Sequence, residues 1–321
     1  MKKYCIYNYA LALTILLTAF NSCISSQSPI PVRGTGDVTN KTYEVSNFSG
    51  IDVSGGFDVD LVQGSSESLV LSAQENLFEY ITVEVVGGIL KVYVERNIMQ
   101  TKGMKAKIYL KSINSLKVSG GGDVSSENTL DFANLAVEIS GGGDLKTNLK
   151  TGELKCHLSG GGDANINGEI GTYDLNISGG GDLQSEITSG IIQCSVTGGG
   201  DVTLKGQGKS TNANISISGG GDLKMDIDAE DVKCSLNGGG DATLSGNANN
   251  LDISISGGGD VNAARLVTQK TEFRANGGSE IHINASSALT GNISGGGDVY
   301  YSGNPGIVNI DAKGGSEVHK E

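Results

Sequence analysis

The sequence predicts an all-β fold, a parallel β-solenoid, and three observations carry that reading. A glycine-acid motif recurs at nearly constant spacing, the residues between recurrences alternate apolar with polar, and the repeats contain no stretch of helical period. The motif SGGGD, or a close variant, closes at Asp123, Asp144, Asp163, Asp182, Asp201, Asp222, Asp241, Asp260 and Asp298, and GGSE places Glu280 and Glu317 on the same beat. Successive intervals are 21, 19, 19, 19, 21, 19, 19, 20, 18 and 19 residues.

Between the glycines, Ile215 and Ile217 alternate with Asn214, Ser216 and Ser218, and Leu223, Met225 and Ile227 alternate with Lys224 and Asp226. That is the period of a half-buried strand. The links between strands are too short to hold crossover helices, so parallel stacking requires coils. A beat of nineteen residues has a contour of about 60 Å, enough for two or three strands of four to six residues and their turns. Stacked about 4.8 Å apart, such coils form a rod with one continuous apolar interior. Paired beats give a superperiod of about 38 to 40 residues, which leaves a larger coil of two beats open.

The first segment gives an address. Lys2 and Lys3 precede the apolar run Ala10–Phe20, a stretch suited to a cleaved export signal over residues 1–22. Phe20-Asn21-Ser22-Cys23 resembles a relaxed bacterial lipobox, which makes Cys23 the lipidated residue and the membrane a partner through that anchor. The alternative is a plain secretion signal with an incidental cysteine. Residues 23–41 then read as a polar tether. Residues 42–118 are expected to hold an N-terminal cap and the first coils, and 119–321 the repeats, with 42–321 one continuous domain. Within the cap, YITVEVVGGILKVYV (residues 80–94) reads as a hairpin with its turn at the glycine pair. SGGFD, closing at Asp58, is a degenerate motif 65 residues before Asp123, roughly three beats away, which sets the first coil near Thr42.

Three cysteines follow Cys23. Cys156, Cys194 and Cys234 fall at one inward phase on alternate beats. With one beat per coil they stand about 9.6 Å apart, beyond the roughly 7 Å limit for a disulfide, so free buried thiols are expected.

The residues FSGIDVSGGFDVDL from Phe48, the tandem SGGGD beats and the closing GGGDVYYSGNPGIVNIDAKGGSEV resemble the DUF2807 family, labelled auto-transporter adhesin with a head GIN domain. The resemblance spans about residues 42–321. It implies a right-handed β-helix and an exported protein, often a lipoprotein, of a kind common in Bacteroidetes, and brings no catalytic residues with it.

Composition narrows the chemistry. A formal charge of −13 from 23 basic and 36 acidic residues argues against nucleic acid as a partner. His157, His282 and His319 read as surface residues, and Tyr300 and Tyr301 as the best exposed aromatics or as cover for the last coils. The constellation to weigh is the acidic ladder, eleven carboxylates from Asp123 to Glu317. Aligned about 5 Å apart, they would repel by about 1 kcal/mol per pair even in water. Either each Asp accepts hydrogen bonds from glycine N–H groups of its own turn, with no cofactor, or cations such as Ca²⁺ sit between successive turns. The functional expectation is a lipid-anchored, non-catalytic adhesin or scaffold on the outer membrane, at the cell surface or periplasmic face, with a glycan or protein ligand. The alternative is a polysaccharide-active β-helix enzyme, a lyase or hydrolase.

Overall fold

A computed structural model describes residues 31–99 and 101–321; Cys23 and the signal segment lie outside them. The described chain is a β-solenoid of about eleven turns. Each beat is one coil: Leu145–Gly160, Ala164–Gly179 and Leu183–Gly198 lie parallel and in register, with Cys156 beside Leu175 and Leu175 beside Cys194. The superperiod therefore counts pairs of coils. Cys156, Cys194 and Cys234 are free and buried, separated by intervening Leu175 and Ile215, and burial pushes each thiol up to about 12.

The strands are longer than four to six residues, because a coil bends without leaving its ladder. In Leu145–Gly160 the buried positions are Leu145, Thr147, Leu149 and Thr151, and then Leu154, Cys156 and Leu158. Gly152 and Glu153 occupy two successive outer positions, and this phase slip turns the strand so that both halves face one core. Val124, Leu145, Ala164, Leu183, Val202 and Leu223 form one of the resulting inward columns. All six are aliphatic, so each coil presents the same inward face to the next.

Residues before 119 close one end. Ile81–Val86 and Ile89–Val94 pair antiparallel across Gly87 and Gly88, at φ 60° and 77°, as the glycine pair predicts. Val38–Tyr43, Ser68–Gln74 and Lys105–Leu110 make a second antiparallel set, and the 3₁₀ turn Glu75–Tyr80 buries Leu77. Residues read as tether already lie in strands: Val32–Arg33 pairs with Ile98–Met99 in a small separate sheet, and Val38 lies opposite Gln74 in the large one.

One expectation fails here. Asp58 and Asp123 are not three coils apart but neighbours: Val53 pairs with Val118, and Val59 with Val124. The 64 residues between them form the antiparallel pairs just described, lay Ile89–Val94 and Lys105–Leu110 parallel along one side of Gly50–Ser54 and Asp58–Gln63, and return on the other side as the next coil.

Candidate functional site

The SGGGD corner is built by close approach between coils. The first glycine of each triplet, from Gly141 to Gly295, sits at φ between 118° and 143°. From Gly160 onward, a Cβ there would lie 1.7–2.3 Å from the carbonyl oxygen of the equivalent glycine one coil back. The third glycine has the same constraint: a Cβ on Gly200 would fall 2.2 Å from the Gly181 oxygen. Two of the three positions therefore have no room for a side chain. The middle glycine, for example Gly199, has ordinary φ and nothing within 4 Å of a Cβ, and no contact in the structure requires it to be glycine.

The aspartate that follows replaces a missing rung. Asp144 donates its backbone N–H to Oδ1 of Asp123, Asp163 to Asp144, and Asp182, Asp201, Asp222, Asp241 and Asp260 each to the residue one coil back, at 2.8–3.0 Å. In return, the residue after each Asp donates to the next Asp carbonyl, as Leu183 does to Asp201 at 2.8 Å. Adjacent coils are thus clasped by one backbone acceptor and one side-chain acceptor. The expected donors were glycine N–H groups of the same turn. Those amides instead serve the stack, Gly180 donating to the Gly160 carbonyl at 3.0 Å, so the carboxylate takes the nearest amide left over. A hydrogen bond to a charged acceptor is worth about 1.5–3 kcal/mol, more than the repulsion of about 1 kcal/mol between neighbouring carboxylates.

The ladder begins one coil earlier than the sequence indicated, since Asp123 donates to Asp58 at 3.2 Å. The 65-residue gap hid Asp58, although its SGGFD motif is visible. It also breaks once. Glu280 donates to Asp260, but its extra methylene carries its own carboxylate to His282 Nε2 at 2.6 Å, and Asp298 N–H turns to the Ser279 carbonyl. Glu317 N–H restores the pattern on Asp298 at 3.1 Å. The rings of His282 and His319 stack on the two faces of Tyr300, each with a centroid distance of 4.8 Å. Tyr300 is therefore no open aromatic platform, and Tyr301 packs against the core. His157 stays on the outer face.

Beside the ladder runs a groove of about 800 Å³. Asp58, Asp123, Asp144, Asp163, Asp182 and Asp201 form one wall, and Asp60, Ser125, Lys146, Asn165, Gln184 and Thr203, two residues further along each coil, form the other. Asp60 accepts from Lys105 Nζ at 2.6 Å and from Ser125 Oγ at 2.7 Å. Burial pushes the Asp60 carboxyl up, but these bonds and the Lys105 charge outweigh it and hold the carboxyl below its ordinary value. Among the described residues, no three His, Cys, Asp or Glu converge as they would around one metal ion.

A glycine-cornered parallel stack with a carboxylate clasp at each turn defines an acid-laddered β-solenoid. The chain belongs to the DUF2807 family, described as "Putative auto-transporter adhesin, head GIN domain", whose profile matches residues 47–208 and again 187–305. Two overlapping matches are what a nineteen-residue repeat allows. Crystal structures similar to the chain include a "putative lipid binding protein" from Parabacteroides distasonis, 20% identical over 91% of this chain and 99% of that one, with a TM-score of 0.38. Others are a "putative adhesin" from Bacteroides fragilis, at 19% over 90% and 100% with a TM-score of 0.34, and one from Parabacteroides merdae, at 20% over 90% and 98% with a TM-score of 0.40. No curated protein matches the chain.

Proposed function

We propose that the protein is a non-catalytic binding rod of the cell envelope, tethered by lipid on Cys23 and presenting the outer rows of its coils to a ligand. The observation that supports this most is the use of the ladder. Asp123 to Asp260 each bind a backbone amide of the following coil, so the most abundant acidic groups serve the stack and are not arranged as a general acid and base. On this reading the ladder needs no calcium. The adhesin description of the family agrees with a binding role, and among the described residues no helix is long and apolar enough to cross a membrane. The anchor is tested by Cys23→Ser. That change should release the protein from the membrane fraction and abolish attachment by cells that depend on it, and unaltered partitioning would rule the anchor out.

A further inference from the structure

A second groove of about 800 Å³ follows the bend of the coils, away from the ladder. Asn212, Asp231 and Asn250 stand in register along one wall, and Asn214, Lys233 and Asp252 along the other. The buried side chains of Val232 and Leu251 lie between the walls, pointing inward, so the groove is a trough over backbone flanked by two polar rows. Steps along each wall are one strand spacing, about 4.8 Å.

We propose that this groove binds a neutral, linear oligosaccharide laid along the rod, an inference that rests on the binding role above and names its ligand class. Charge is the first argument. Lys233 and Lys270 face Asp231, Asp252 and Glu272, and Arg274 pairs with Glu272 and lies 3.9 Å from Asp252, so three cations balance three carboxylates in a chain of formal charge −13. A polyanion would meet three carboxylates and a polycation three cationic groups, whereas an uncharged polymer meets neither penalty. Donor and acceptor content is the second. Amides offer both, carboxylates accept and ammonium groups donate, so the walls alternate in the way hydroxyls, which also do both, can satisfy. Asn250 Nδ2 donates to Asp231 Oδ1 at 2.6 Å, which orients that amide. Asn214, Lys233 and Lys270 make no side-chain hydrogen bond or ion pair with other described residues, so a ligand can engage them without first breaking a contact.

An extended peptide is disfavoured by the ladder itself. Peptides that add as strands need an open edge, and here Val202–Gly219, Leu223–Gly238 and Ala242–Gly257 are each paired on both sides.

The test is calorimetric titration of the detergent-solubilised full chain with three neutral probes, cellohexaose, mannohexaose and N-acetylchitohexaose, and with polygalacturonate as the anionic comparator. At least one neutral probe should bind saturably. Asn214→Ala combined with Asn250→Ala should weaken it about tenfold or more, as should Lys233→Met, which keeps the aliphatic stem, while the distant Glu44→Gln should not. An unchanged melting temperature shows that the variants are folded. The proposal is overturned if no neutral probe binds up to about 10 mM, if the wall substitutions leave binding intact, or if polygalacturonate binds more tightly. If no neutral probe binds while Cys23→Ser still abolishes attachment, this inference falls and the binding role stands.

Discussion

The closing segment, residues 32–118, and the stacked coils, 119–321, solve opposite problems. The segment carries nine basic against ten acidic residues and seven aromatics, while the coils carry twelve against twenty-six and only five aromatics over more than twice the length. Stacking near-identical turns demands repeated inward groups, mostly aliphatic with Tyr173 and Phe273 among the exceptions, and tolerates a line of charge because the carboxylates from Asp58 to Asp260 are each clasped. Closing an end demands bulk, antiparallel pairing and irregularity. One position shows both rules. Gly122, Gly143 and Gly162 hold the third place of the corner in successive coils, and Phe57 holds it in the first, where Met104 and not a glycine corner lies behind it. Phe57 is 1% exposed, so the space denied to a side chain in the rod is filled by a ring at its end.

The largest effect expected from this difference is at Phe57. Phe57→Ala should cost about 3–5 kcal/mol, because it leaves a cavity between cap and first coil that rigid strands cannot close. Denaturant unfolding would show it, and a loss below about 1 kcal/mol would mean that the cap does not seal the core through this ring.

The rod should respond to the opposite change. Gly200→Ala would drive a Cβ against the Gly181 carbonyl and should cost about 3 kcal/mol, since neither partner is a flexible side-chain end. Its neighbour supplies the control. Gly199→Ala, with open space and an ordinary backbone, should stay within about 0.5 kcal/mol. Equal effects at the two positions would refute the close-approach account of the corner.

Much of the rod was legible because its causes are local and repeated. Period two between glycines, spacing near nineteen and the phase of Cys156, Cys194 and Cys234 give the inward face and, for one beat per coil, the free thiols; the in-register pairing of successive beats then decides for one beat per coil. The cap was less so. Its hairpin was readable, but nothing in SGGFD says that Asp58 will meet Asp123, since that pairing depends on how the intervening chain folds back. The ladder was legible as a row of acids and not as a set of bonds, because glycine and aspartate amides are indistinguishable in sequence and only the stack decides which are already used. The stacking of His282, Tyr300 and His319 was missed although their spacings, 18 and 19 residues, are those of the repeat and would have placed the three rings in one column.

A middle-sized effect belongs to the ladder. Asp201→Ala removes the acceptor of the Asp222 amide and should cost about 1–3 kcal/mol, while Asp201→Asn keeps an acceptor, relieves two repulsions and should cost less. Chelators should leave the wild-type melting temperature unchanged. A calcium-dependent melt that falls in steps with Asp182, Asp201 and Asp222 would instead make the ladder a cation site.

The smallest effect lies where the two regions join, at Asp60 and Lys105. Hydrogen bonding to Asp60 raises the Lys105 ammonium above its ordinary value, while the Asp60 carboxyl lies below 3.8. A lowered carboxyl stabilises the fold above its unfolded value and loses that contribution as pH falls below about 3.8 through the folded value. A raised ammonium does the reverse: its contribution is whole below 10.5 and disappears as pH climbs through the folded value. Lys105 is half exposed, so solvent and salt weaken the pair and its worth should not exceed about 1 kcal/mol. As pH is lowered from 5 to 2, the melting temperature should therefore fall slightly more steeply in the wild type than in Asp60→Asn, and the difference should shrink in high salt. Parallel curves for the two proteins would show that the junction is held by Phe57 and the paired backbones alone.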